Sequence, residues 1–128
     1  MKRITLALGV ALAALVAAAP VAARSAVTVP TVTVTMKEFK FTLTKRTVVN
    51  GTVMIKPVTK VRHGKVTFKL VNRGKLKHDF KIAGKKSKLI SPGKTGFLTV
   101  TLRTGRLPYT CTVPGHAAAG MKGKLTVT

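Results

Sequence analysis

Acidic residues are almost missing from this chain. Glu38 and Asp79 stand against 24 lysines and arginines in 128 residues, for a formal net charge of +22. Copies of such a chain repel one another, and polyanions, anionic lipid or acidic proteins are drawn to it. The basic residues are spread along the whole chain, many at alternate positions as in Lys65-Val66-Thr67-Phe68-Lys69-Leu70, which is the pattern of a solvated strand face. Cysteine is reduced to Cys111, so no disulfide can form within the chain. Exposed, a lone thiol is an oxidation liability; buried and metal-bound, it is protected. A buried structural cysteine is the plain alternative. Aromatics make up 5% of the residues, without any recognition motif for DNA or RNA, so specific nucleic-acid binding is not expected. Low-complexity tracts and clean repeats are absent, and past the N-terminal run no stretch has the period of a three-turn amphipathic helix.

What is present begins with a leader. Lys2 and Arg3 precede an apolar run from Ile4 to Ala19, followed by Pro20-Val21-Ala22-Ala23. A charged start, an apolar middle and a small-residue end describe a secretory signal peptide over 1–23, cleaved after Ala23. Cleavage leaves 24–128 as one domain with a charge of +20, in the periplasm, the cell envelope or outside the cell. The alternative is an uncleaved anchor, since Ile4 to Ala23 has about the length that spans a bilayer. No cysteine lies nearby to carry a lipid.

The remainder reads as strands. Val27 to Thr35 alternates apolar and polar residues, with Pro30 suggesting an edge position at its start. Phe39, Phe41 and Leu43 fall on one face of the next run. Asn50-Gly51 marks a hairpin between Thr47-Val48-Val49 and Thr52-Val53-Met54-Ile55. Pro57 to Gly64 reads as a connection, and Lys65 to Val71 as a strand that buries Val66, Phe68 and Leu70. Asn72-Arg73-Gly74 is a turn, and a strand starts at His78. Residues 84–96 form a loop whose tightest turn is Ser91-Pro92-Gly93. Phe97 to Leu102, Arg106 to Thr112 and Lys124 to Thr128 supply the last strands. Seven or eight short strands with turns between them predict an all-β antiparallel sandwich or barrel.

One loop concentrates the chemistry. Tyr109 to Gly123 contains Cys111, His116 and Met121, spaced Cys-x4-His-x4-Met. A thiolate, an imidazole and a thioether there lack only a second histidine to make the two-His, one-Cys, weak-Met set of a blue-copper electron-transfer site. With Glu38-Phe39, Asn72-x-Gly74, His78-Asp79-Phe80, Pro92-Gly93 and this loop, nearly all of 24–128 resembles a small cupredoxin, the plastocyanin/azurin family of type 1 copper proteins. The resemblance implies a Greek-key sandwich, one copper ion, and His78, Cys111, His116 and Met121 as its metal ligands. The cysteine would bind as thiolate, the two imidazoles would complete a trigonal plane, and the thioether on the axis would favour the reduced state.

Asp79 is expected either to bond backbone N–H groups of the cysteine loop or to act only as a turn residue. Asn72 reads as a turn former, His63 as a surface histidine, and Met36 and Met54 as core. Pro114, Gly115 and Ala117 to Ala119 would surround His116 with a flat apolar patch, through which a redox partner that is acidic at its docking face could approach. The expected protein is a monomer that shuttles single electrons. Alternatives are a copper carrier or buffer in the cell envelope, or a basic β-domain that binds polyanion or an anionic membrane surface and keeps a remnant of the site. An enzymatic role is not expected: a second copper would need more histidines, and only His63 is unassigned. Zinc or a red-type copper centre could occupy the same residues.

Overall fold

The computed structural model describes residues 28–128; the expected leader lies outside them. The described residues contain ten strands and no helix: β1 (Thr31–Lys37), β2 (Lys40–Val49), β3 (Thr52–Pro57), β4 (Lys60–Val61), β5 (Gly64–Asn72), β6 (Lys81–Ile82), β7 (Lys85–Lys86), β8 (Thr95–Leu102), β9 (Gly105–Thr110) and β10 (Lys122–Val127). They form two five-stranded sheets, ordered β3-β2-β1-β5-β8 and β4-β10-β9-β6-β7. Every second residue of the long strands points between the sheets: Val32, Val34 and Met36 from β1, Phe41 and Leu43 from β2, Val66, Phe68 and Leu70 from β5. Leu125 and Val127 of β10 meet them from the other side, with Phe80 and Ile82. This is an all-β sandwich held by two interlocked apolar faces.

The expected class holds, with differences of detail. The additional strands are the two-residue pieces β4 and β7, too short to carry a period of two, and the strand expected from His78 is reduced to β6, its last two residues. Two pairings are parallel, β1 with β5 and β10 with β4. Because β5 lies against β1, that strand sits inside its sheet and not at an edge. Pro30 is tolerated because it falls just ahead of β1, where its carbonyl accepts the Thr67 N–H at 3.0 Å and no donor is required of it.

Phe39 does not share the buried face of Phe41. Lys37 pairs with Lys40, so Glu38 and Phe39 are the two turn residues between β1 and β2, and Phe39 is exposed. The Asn50-Gly51 hairpin is present as expected, with both residues at positive φ (49° and 76°), as a type I′ turn requires. Met54 is not core: all six residues of β3 are exposed, because the second sheet does not cover this hairpin. Met36 is fully buried.

Candidate metal centre

Three segments converge at one end of the sandwich. The first is the turn after β5. Asn72 is buried; its Oδ1 accepts the Gly74 N–H, and its Nδ2 donates to the Leu76 and Ile90 carbonyls, each at 2.8 Å. Ile90 in turn exchanges two backbone bonds with His78, at 3.2 and 2.7 Å. Asn72 is therefore a turn former that also ties the His78 strap to the loop opposite.

The second segment is the cysteine loop, which closes on itself. Cys111 N–H donates to the Met121 carbonyl, and Met121 N–H to the His116 carbonyl, both at 3.0 Å. Two glycines at positive φ, Gly115 (82°) and Gly120 (111°), allow these reversals. Asp79 joins this loop to the His78 strap: its Oδ1 accepts the Thr112 N–H at 2.6 Å, and its Oδ2 accepts the Thr112 hydroxyl. Of the two roles foreseen for Asp79, the structure shows the bond to the cysteine loop.

The donor atoms meet in the interior. His78 Nδ1 lies 3.1 Å from His116 Nδ1, and Cys111 Sγ lies 3.6 Å from the same nitrogen. All three donors fall within 4.8 Å of one another. Three donors in a plane, each about 2 Å from a common centre, stand about 3.5 Å apart, so the observed spacings suit one shared ion. Met121, fully buried, is held at the end of the same loop. Burial pushes the Cys111 thiol upward from its ordinary range, only partly offset by hydrogen bonds from the Asp79 and Val113 amides. A metal cation would reverse that preference and hold the thiolate. A thiolate, two imidazoles and a nearby thioether suit copper better than hard cations.

The third segment is the β1–β2 turn, and its role was not foreseen. Glu38 Oε1 accepts from His78 Nε2 at 3.1 Å and from the Lys75 and Leu76 amides at 2.7 and 2.8 Å. Led by the Leu76 bond, these contacts hold its carboxyl down at about 2. An ionised carboxylate only accepts, so the His78 proton sits on Nε2 and Nδ1 presents a lone pair to the centre. Gly74 makes the approach possible, since a Cβ there would overlap the Glu38 carboxylate. The available signal was the rarity of acids, which made Glu38 a marked residue. Next to it, Phe39 packs edge-on against the His116 ring, with centroids 5.0 Å apart.

His116 is 8% exposed, against 0% for His78 and 1% for Cys111. With Nδ1 turned inward, the opposite edge of its ring faces outward among the exposed Pro114, Gly115, Ala118 and Ala119. His63 lies far along the chain, exposed, with its Nδ1 on the Thr128 carbonyl at 3.0 Å, as expected of a surface histidine.

Residues 28–128 match the family described as copper binding proteins, plastocyanin/azurin family. Over 53 residues the chain is 45% identical to the copper-resistant cuproprotein CopI of Pseudomonas aeruginosa, covering 41% of this chain and about a quarter (27%) of that protein. Among solved structures, reduced auracyanin from Roseiflexus castenholzii superposes with a TM-score of 0.56 at 18% identity, over 77% of this chain and 96% of the other. The periplasmic domain of cytochrome oxidase subunit II (CoxB) of Bradyrhizobium japonicum gives 0.57 at 14% identity, over 77% and 83%. The structural likenesses speak for the fold; the match over 28–128, together with the converging thiol and imidazoles, places the chain in the plastocyanin/azurin family of copper-binding proteins.

Proposed function

We propose that this chain is an exported type 1 copper protein that binds one ion through His78, Cys111, His116 and Met121 and carries single electrons between redox partners. The observation that carries this reading is the buried set of one thiol and two imidazole nitrogens, already drawn together by the fold. Copper supplies the chemistry, a one-electron couple between Cu(I) and Cu(II). The protein supplies rigidity. Asp79 locks the cysteine loop, Glu38 fixes the His78 ring, and Phe39 braces the His116 ring. Held this way, the donors move little when the ion changes charge. The apolar surround of His116 offers a monomer one contact face for an acidic partner.

Adding Cu(II) to the pure protein is expected to give an intense visible thiolate-to-copper absorption that Cys111→Ser abolishes. A colourless complex, or colour surviving in Cys111→Ser, would end the electron-carrier reading. The likeness to a copper-resistance cuproprotein supports a second reading, copper carriage in the envelope. Voltammetry separates the two: a carrier of electrons keeps its metal through repeated reduction, whereas a carrier of copper gives it up.

A further inference from the structure

Beyond Leu43 the β2–β3 hairpin leaves the core: residues 45–56 include no buried side chain. Val48 (61% exposed), Val49 (42%), Val53 (47%), Met54 (41%) and Ile55 (64%) all lie open in it. The register places Val48 opposite Val53 and Arg46 opposite Ile55 on one face. Thr47 opposite Met54, and Lys45 opposite Lys56, lie on the other. The tip is thus apolar on both faces, with Lys45, Arg46 and Lys56 as a basic collar beneath it. A protein surface covers one face of a hairpin; the interfacial zone of a bilayer surrounds both.

We propose that this hairpin inserts its tip into an anionic membrane surface. Charge supports the choice of occupant. The chain carries a net +22, and both of its acids are engaged at the metal centre, Glu38 on His78 and Asp79 on Thr112. No acidic side chain is left near the collar to repel an anionic headgroup, while each basic side chain gains from the surface potential. The same charge opposes pairing of β3, an open edge, with a second copy.

The geometry gives the insertion a consequence. β2 has ten residues and runs from beside Phe39 to the hairpin turn, a length of about 30 Å at the usual rise per residue. A molecule seated on its hairpin holds the His116 face away from the bilayer and open to a partner. β1 begins two residues before Thr33, which pairs with Thr44, so the chain enters the sheet from the hairpin side. The inference does not depend on the metal.

The test is hydrogen exchange on the full chain, with and without vesicles of phosphatidylcholine containing phosphatidylglycerol. Protection is expected in 48–55 and not around Cys111 and His116. Val48→Ser/Val53→Ser/Ile55→Ser changes only exposed side chains, so it should fold and take up copper normally while binding these vesicles at least tenfold more weakly. Unchanged exchange in 48–55 on vesicle binding, or equal binding by the triple variant, overturns the proposal. So does equal protection of the hairpin by soluble heparin, or by self-association seen in sedimentation without lipid.

Discussion

At the scale of single residues, the centre depends on side chains beyond the three donors that converge there. Glu38 orients His78 only because Gly74 has no side chain. Gly74 has no positive φ, so alanine there is conformationally acceptable and its cost is displacement of the carboxylate. Glu38→Ala and Gly74→Ala should therefore produce the same defect. Copper affinity is expected to fall about tenfold to hundredfold in each, with a changed visible spectrum and little further loss when the two are combined. Additive losses in titrations of the double variant would show that Gly74 does not act through Glu38. A weak axial donor favours Cu(I) over Cu(II), and no donor at all favours it further, so if Met121 is that donor Met121→Leu should raise the reduction potential; an unchanged potential would mean that Met121 does not bind. Cys111 and His116 were legible because they are rare residue types in one short loop, which also holds the candidate Met121. His78 was found through the family pattern. Glu38 was not assigned a role, since its contact spans 40 residues and is made by a turn, where no periodicity marks direction.

At the scale of elements, strands long enough to alternate were readable, and short ones were not. The inward sets of β1 and β5 followed from period two and β6 falls inside the strand expected from His78, while β4 and β7 are two-residue pairings created by their neighbours. The parallel pairing of β1 with β5 arises because the chain passes through the β2–β3 hairpin before returning, and local sequence carries no record of that route. Exposure of Met54 has a related origin: Val53, Met54 and Ile55 run on without alternation, so the strand marks no inner face, and no second sheet covers either side. The join between the His78 strap and the cysteine loop rests on Asp79 and Thr112. Asp79→Ala leaves the Thr112 N–H without its carboxylate and should destabilise the metal-free protein by about 2 kcal/mol. In a domain of this size that is about 8 °C in Tm. Thr112→Val, which keeps the backbone bond, should cost clearly less. Equal losses for the two variants in thermal unfolding would place the contribution in the hydroxyl and not in the loop amide.

At the scale of the molecule, the proposed electron carrier would meet an acidic partner and a second copy of itself at one contact face, and its charge would separate the two encounters. Lys37 and Lys40 flank Phe39 in the β1–β2 turn, and Lys122 follows Met121, so the apolar patch at His116 has a basic rim. An acidic partner is pulled toward that rim, whereas a second copy of the chain, at +22, is repelled. Raising the ionic strength from 0.01 to 1 M shortens the screening length from about 30 to about 3 Å. Electron transfer to an acidic partner should then slow by about tenfold or more, while self-exchange between reduced and oxidised copies should quicken. Lys40→Glu and Lys122→Glu should flatten both salt dependences without moving the reduction potential, because neither side chain contacts a donor. Stopped-flow rates for the partner reaction and line-broadening rates for self-exchange supply the two slopes. If both rates moved in the same direction with salt, the encounter face would lie elsewhere and the basic rim would serve only solubility.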